Sequence, residues 1–289
     1  MATKTNMSTS FSPETVKEVF SKVKGHSSLV KLAQNMPVSF SGNDIFTFNL
    51  DGEVAIVGEG GQKPAGEATV ATVSVRPIKV VYQHRVSDEF LRASEEKALA
   101  MLSAFTDGFA KKIASGLDIM AFHGVNPADL KASDKIGTNH LDACASVTYT
   151  EGAPEAALND AIALIGDNSV SGYALSKTFA AVLGSYRENG VSQYPEFKLG
   201  GNPGSLVGTA CDVNGTVNKG NAKDLAFVGD FAGAFRWGYA DQIPMEVIQF
   251  GDPDGQGDLK RTNEVVLRAE AWIGWGILDK DAFARVVSA

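Results

Sequence analysis

The residues of this 289-residue chain that are able to do chemistry are few and mostly far apart. The densest set is the acidic run Gly251-Asp252-Pro253-Asp254-Gly255-Gln256-Gly257-Asp258. Laid on a calcium-binding loop, it puts Asp252, Asp254 and Asp258 at the first, third and seventh positions and Gly257 at the sixth. The twelfth position falls on Asn263, with Glu264 one residue late, and strand patterns rather than helices flank the run. It is therefore expected to be an exposed acidic turn, with weak calcium uptake by two of its acidic side chains as the alternative. His26, His84, His123 and His140 form no i, i+4 pair, and His84 lies in a strand pattern as a surface position. Cys144 and Cys211 have no metal-ligand spacing and are expected to be reduced structural thiols. Gly58-Glu59-Gly60-Gly61 lacks the spacing and the following helix of a dinucleotide site, and there is no P-loop, HExxH or GxSxG motif. No catalytic residue, cofactor site or metal ligand is assigned.

Composition narrows the class. A hydrophobic content of 44% supports a sizeable core, and 21% charged residues is ordinary. No apolar run reaches the roughly 18 residues of a membrane span, and Met1 to Ser12 lacks the apolar core of a signal peptide. The chain is expected to be made and assembled in the cytosol. A net charge of −8 argues against a dedicated nucleic-acid binder. The charge is uneven: residues 1–36 carry Lys4, Lys17, Lys22, Lys24 and Lys31 against Glu14 and Glu18, +5 − 2 = +3, which leaves −11 for the rest.

The elements come from periodicity. Ser12, Pro13 and Gly25 frame a short helix whose apolar stripe is Val16, Val19, Phe20 and Val23. Too short to persist alone, it must dock on the body or on a neighbour. Val54 to Val57 and Val70 to Val81 read as the arms of a long hairpin with the glycine-rich tip Gly58 to Gly66. From Ser87, a break near Ala93-Ser94 precedes a long helix, Ala98 to His123. Its stripe is Leu99, Leu102, Phe105, Phe109, Ile113, Leu117 and Met120, and Gly108, Ser115 and Gly116 are small enough to admit another backbone. Beyond it, Pro154 to Gly166 reads as helix and Tyr173 to Leu175 as strand, and Ser176 caps a helix carrying Phe179, Val182, Leu183 and Tyr186. Leu225 to Phe231 is a buried strand entering a turn. Met245 to Phe250 and Glu264 to Gly274 are strands, the latter alternating Val265, Leu267, Ala269 and Ala271 with polar residues.

This order resembles the major capsid proteins of tailed bacteriophages, from about His26 to the C-terminus. Ser28 to Ala33 with Pro37-Val38 looks like the family's first strand. Gly58-Glu59-Gly60-Gly61-Gln62-Lys63-Pro64 resembles its extended-loop signature, and Val86 to Leu91 the start of its spine helix. Val228-Gly229-Asp230-Phe231 followed by Arg236-Trp237 is similar to a pattern of its axial domain. The resemblance implies an α+β Hong Kong 97-like capsid fold. Its parts are an N-terminal arm (1–36), an extended hairpin with entering strands (37–86), a spine helix (87–125), an α/β axial domain (126–242) and peripheral strands (243–289), which make the peripheral domain discontinuous.

It implies a structural, non-enzymatic protein of the virion that assembles with itself into pentamers and hexamers of an icosahedral head around double-stranded DNA. The implied partners are a separate scaffolding protein, a portal and DNA touched non-specifically, with no membrane. Glu59, Lys63 and the stripe Val16, Val19, Phe20 and Val23 are the expected assembly contacts. Some relatives cross-link subunits through a loop lysine, an asparagine and a glutamate. Lys63 stands at the lysine's place, but Thr262 and Ala269 align with the other two, with Asn263 and Glu270 one residue off, so no cross-link is expected. The rival readings are an encapsulin-like compartment shell and a soluble α/β enzyme.

Overall fold

The computed structural model describes residues 26–51, 54–89, 95–239 and 245–289. The expected arm helix, with Val16, Val19, Phe20 and Val23, lies outside the described residues, as does the break near Ala93-Ser94.

The described chain opens with a helix. Ser27 caps α1 (Ser28–Leu32), its hydroxyl accepting from the Val30 N–H. This corrects the strand that the resemblance implied at Ser28 to Ala33, because the cap and long-range bonds from these amides hold a helical turn. A short β1 (Gln34–Asn35) follows, then a ribbon of β2 (Asn43–Asp51) and β3 (Glu67–Val75). The hairpin is real but its arms differ from those expected. Val54 to Val57 takes no strand partner, and Asn43–Asp51 is the first arm. The run Val70 to Val81 is divided at Arg76-Pro77, where proline withholds a ladder N–H, and β4 (Ile78–Ser87) starts afresh in another sheet.

The long helix α2 (Glu95–His123) has 29 residues, about 43 Å at the standard rise. Phe109, Ile113, Leu117 and Met120 of the expected stripe are buried. Burial follows that stripe over residues 103–115, whereas every residue from Gly116 to His123 is buried. Gly116 meets the Pro127 ring and Gly108 faces open space, so neither packs on a described backbone within the subunit.

Two sheets enclose that buried end. The first is built on β14 (Glu264–Ile277), with β4 along one edge and β13 (Met245–Ile248) and β12 (Phe235–Tyr239) along the other; β1 adds in parallel to β12. Alternation along β14 turns Ala269, Ala271, Ile273 and Trp275 toward α2, in one core with Phe109, Ile113 and Leu117. The second sheet runs β5 (Ala145–Thr148), β15 (Phe283–Val287), β11 (Asp224–Gly229), β6 (Gly172–Leu175), β10 (Thr209–Val213) and β9 (Ser205–Leu206). On β11, Phe227 joins the α2 core, whereas Ala226 and Val228 face a second core under α3 (Pro154–Ile165) and α4 (Lys177–Ser185).

The chain's last strand departs from expectation. β15 pairs with β11 and β5 in the sheet of the 126–242 region, while β12 from that region pairs with β14. Residues 243–289 therefore divide between both sheets, which tie the two halves of the molecule by backbone hydrogen bonds. No described helix is long and apolar enough to cross a membrane.

Candidate assembly surface and buried carboxylate centres

The β2–β3 register pairs Phe46 with Thr72 and Phe48 with Val70, so the two-residue period puts both rings and Val70 on one face. That face is bare: Phe46, Phe48 and Val70 are 74%, 63% and 62% exposed. At its root the ribbon seats Val75 against Gly276, where an added Cβ would come within 2.6 Å of the Val75 side chain. At its tip Val54 and Ile56 are fully exposed. Glu59 and Lys63 sit there too, both exposed, around a turn closed by the Gly61 N–H donating to the Gly58 carbonyl at 3.0 Å.

The root of the N-terminal segment is held by two buried carboxylates that the sequence did not single out. Asp118 on α2 is wholly buried. Its Oδ1 accepts from the Ser27 hydroxyl at 2.5 Å and the Leu29 N–H at 3.2 Å. Its Oδ2 accepts from the Ser28 N–H at 2.9 Å and the Thr216 hydroxyl at 2.6 Å. Burial pushes this carboxyl up and the four donors pull it back, leaving it at about 6. Asp212 on β10, also buried, accepts from the Ser28 hydroxyl at 2.7 Å, Asn202 at 2.9 Å and the Lys31 ammonium at 2.5 Å. Helix α1 is thus clamped from both sides.

A third centre gathers four distant segments. His123, the last residue of α2, turns Nδ1 toward both oxygens of Asp142, at 3.1 and 3.2 Å, and toward Asp224 Oδ2 at 3.2 Å. Arg285 on β15 donates to Asp224 Oδ1 at 3.0 Å and stands 3.4 Å from Asp142 Oδ1. Burial lowers the imidazole, but the two carboxylates outweigh it and lift it to about 9. Burial also raises Asp224, helped by its carboxylate neighbour, while the His123 and Arg285 charges hold the less buried Asp142 down. His123 Nε2, Asp224 Oδ2 and Arg285 Nε are buried without a hydrogen-bond partner. The pattern search missed this site because its members share no local spacing; only the fold brings them together.

The acidic run is where the sequence placed it, but its charge has a partner. Arg85 on β4 donates to both oxygens of Asp254, at 2.7 and 2.5 Å, to Glu264 at 2.9 Å and to the Gly257 carbonyl at 2.7 Å. Its Nη2 also stands 3.4 Å from Asp252. The guanidinium fills the place a cation would take, and holds Asp254 down at about 2. Asp258 instead caps α6 (Leu259–Thr262), accepting from the Lys260 and Arg261 amides. Because the folded pKa of Asp254 lies below its ordinary value, the contribution of this centre is present above roughly pH 4 and fades as pH falls toward 2. Arg85→Ala is expected to free the 251–258 loop for cleavage by an Asp-directed protease at neutral pH. Equal digestion rates for both proteins would refute that role.

Cys144 and Cys211 are free and buried, and burial pushes both thiols up to about 12, as inert structural cysteines require. His84 is exposed on β4, as expected. Of the residues near the cross-link positions, Asn263 is the left-handed C-cap of α6 and Glu270 pairs with Lys79 at 2.7 Å.

The fold has clear relatives. A chain from Mycobacterium phage Ogopogo is 33% identical and superposes with a TM-score of 0.77, covering 91% of this chain and 92% of its own. A chain from Gordonia phage Cozz is 25% identical with a TM-score of 0.75, covering 91% and 87%. The fold alone is shared with a chain described as the capsid of a native GTA particle computed with C5 symmetry, at 12% identity, a TM-score of 0.62, and coverage of 100% and 94%. No curated protein matches at a significant level. The family model of the phage capsid family matches residues 11–288. With an unpartnered apolar ribbon, a long central helix and a match over nearly its whole length, this chain belongs to the phage capsid family and is a bacteriophage capsid structural protein.

Proposed function

We propose that the protein adopts the Hong Kong 97-like arrangement and builds an icosahedral head of pentamers and hexamers around double-stranded DNA. A separate scaffolding protein directs assembly, a portal occupies one vertex, and DNA is touched without sequence reading. The observation that carries this is the bare face of the β2–β3 ribbon. An isolated two-stranded ribbon is marginal in water, and a contiguous apolar face on one marks a contact surface. Covering Phe46, Phe48 and Val70 on a neighbouring subunit stabilises the ribbon and the shell together. The five-fold symmetry of the GTA capsid with a similar fold supports this reading. Many modest contacts of this kind add by multivalency in a closed shell.

The test separates folding from assembly. Phe46→Ser with Phe48→Ser is expected to leave a soluble subunit with an unchanged melting midpoint but to abolish particles in electron micrographs. Glu59→Ala with Lys63→Ala at the tip is expected to lower particle yield in the same way. Wild-type yields from the phenylalanine pair would sink the proposal; a collapsed melting midpoint would place those rings in the subunit's own core.

The shell is held without covalent links in this reading, because Glu270 is engaged by Lys79 and Asn263 stands one residue from the aligned position. Denaturing electrophoresis of particles is expected to give one band near 30.5 kDa. A ladder that survives boiling in reductant overturns it.

A further inference from the structure

We propose that His123, Asp142 and Asp224 form a binding site for one divalent transition-metal ion of the zinc class, which braces the inner end of α2 to the six-stranded sheet. The geometry comes first. A tetrahedral zinc with bonds of roughly 2.0–2.1 Å has ligand atoms about 3.3 Å apart along each edge. His123 Nδ1 lies 3.1 and 3.2 Å from the Asp142 oxygens and 3.2 Å from Asp224 Oδ2. The nitrogen-to-oxygen edges stand near that length before any ion is added, and the three ligand atoms, one from each residue, lie within 4.8 Å of one another.

The second observation is an unmet demand. Three carboxylate oxygens converge on one ring nitrogen, which has at most one proton to give. Asp224 has no exposed side-chain surface, and its Oδ2, the oxygen turned to His123, has no hydrogen bond. A buried carboxylate oxygen left without a donor is costly. An ion in place of the Nδ1 proton meets one oxygen of each carboxylate at once and leaves a fourth position for water.

Arg285 stands 3.4 Å from Asp142 Oδ1 but leaves Asp142 Oδ2 and Asp224 Oδ2 to the ion. Its hydrogen bond goes to the other oxygen of Asp224, Oδ1, at 3.0 Å. It therefore fixes Oδ2 toward the imidazole, as outer-shell partners of metal-binding carboxylates do. Two carboxylates against one guanidinium leave one negative charge with a neutral imidazole, which suits a dication that completes its shell with hydroxide or water. The nitrogen-and-oxygen donor set favours zinc or manganese over calcium, which takes six to eight oxygens. Asp142, with 17% of its side chain exposed, gives the ion a way in. The contrast with the acidic 251–258 loop is informative, because there Arg85 lies among the carboxylates and leaves no place for a cation.

The site is independent of how the shell is arranged. The full-length subunit, stripped with chelator, is incubated with zinc chloride, desalted, and its metal counted by plasma mass spectrometry. About one zinc per chain is expected, with a rise in melting midpoint. Asp224→Asn and His123→Gln are expected to retain less than about a tenth of that, while Asp254→Asn and His84→Ala retain it all. Because the first two variants remove buried groups, the wild-type protein is also titrated with cobalt, whose visible bands report four-coordinate nitrogen and oxygen binding. Absence of retained zinc, of a melting shift and of cobalt bands in the wild type overturns the proposal and leaves a closed ion-pair cluster. Zinc lost with Asp254→Asn or His84→Ala, but kept with Asp224→Asn, overturns it as well.

Discussion

Asparagine at position 118 is expected to destabilise the isolated subunit by about 2–4 kcal/mol at neutral pH, although it matches aspartate in shape. Each Asp118 oxygen accepts one backbone N–H and one hydroxyl. The hydroxyls can rotate to accept, but the Ser28 and Leu29 amides cannot. An asparagine must set its NH2 group against one of these fixed N–H donors, leaving a buried donor unpaired. A protonated carboxyl avoids this: its O–H oxygen still accepts from the amide while its proton goes to a hydroxyl. The pH dependence follows with a definite sign. Burial first, opposed by the donors, sets the folded pKa at about 6, above the usual value. A carboxyl raised in the folded state contributes stability that is full below roughly pH 4 and is lost as pH rises through about 6. Asparagine cannot titrate, so the advantage of the wild type should grow by about 2 kcal/mol from pH 8 to pH 4.5. Urea unfolding of both proteins across that range measures it, and the raised His123 is common to both and cancels. A gap that stays flat, or widens toward alkaline pH, would falsify the account of Asp118.

The parts of the fold legible in the sequence are those whose pattern is set by one nearby surface. Phe109, Ile113 and Leu117 keep a helical stripe because they lie on one sheet, and β14 alternates because only its core face meets α2. Ser176 reads as a cap because its hydroxyl bonds only three residues ahead. Where partners are distant, the reading fails for a stated reason. The resemblance implied a strand at Ser28 to Ala33, yet Asp118 and Asp212 hold its amides and hydroxyl in a helix. Val54 to Val57 has strand propensity but no strand beside it, while the less regular Asn43–Asp51 pairs fully with β3. Nothing in Phe283 to Val287 itself says which sheet it will enter.

The carboxylate centres were less legible still. Asp118, Asp142, Asp212 and Asp224 each read as an unremarkable polar residue, since their meaning lies in groups on other elements. The acidic run was conspicuous only because its members are contiguous, and its decisive partner, Arg85, was not. The long hairpin was legible as a unit from its glycine-rich tip, although the local reading misplaced its arms.

Gly238→Val is expected to destabilise the subunit by about 3 kcal/mol or more, through volume rather than backbone conformation. A Cβ at position 238 would lie 1.8 Å from the Met36 carbonyl oxygen and 2.7 Å from the Val38 side chain. The first clash is with backbone, so no rotamer change relieves it and one strand must move. β12 is held along its length by β14, from Phe235 opposite Ile277 to Tyr239 opposite Ile273. β1 has only two pairs, Gln34 with Arg236 and Asn35 with Trp237, plus the Met36 N–H bond to the Trp237 carbonyl at 2.7 Å. The weaker strand yields. Residues 33–38 then lift away, uncovering Trp237, which is 2% exposed and donates its indole N–H to the Ala33 carbonyl. Hydrogen exchange should show lost protection at the Met36 amide with α2 and β14 unchanged, and urea unfolding should show the lower stability. Gly108→Ala on α2 is the matched control, since its Cβ meets nothing within 4 Å and a helix-interior glycine gains about 0.5–1 kcal/mol on becoming alanine. Because 33–38 continues into α1 and the arm, particle yield should fall with Gly238→Val and hold with Gly108→Ala. Unchanged Met36 protection in the valine variant would mean that β12 gives way instead, and with it the claim that this glycine exists to let the N-terminal segment lie against the sheet.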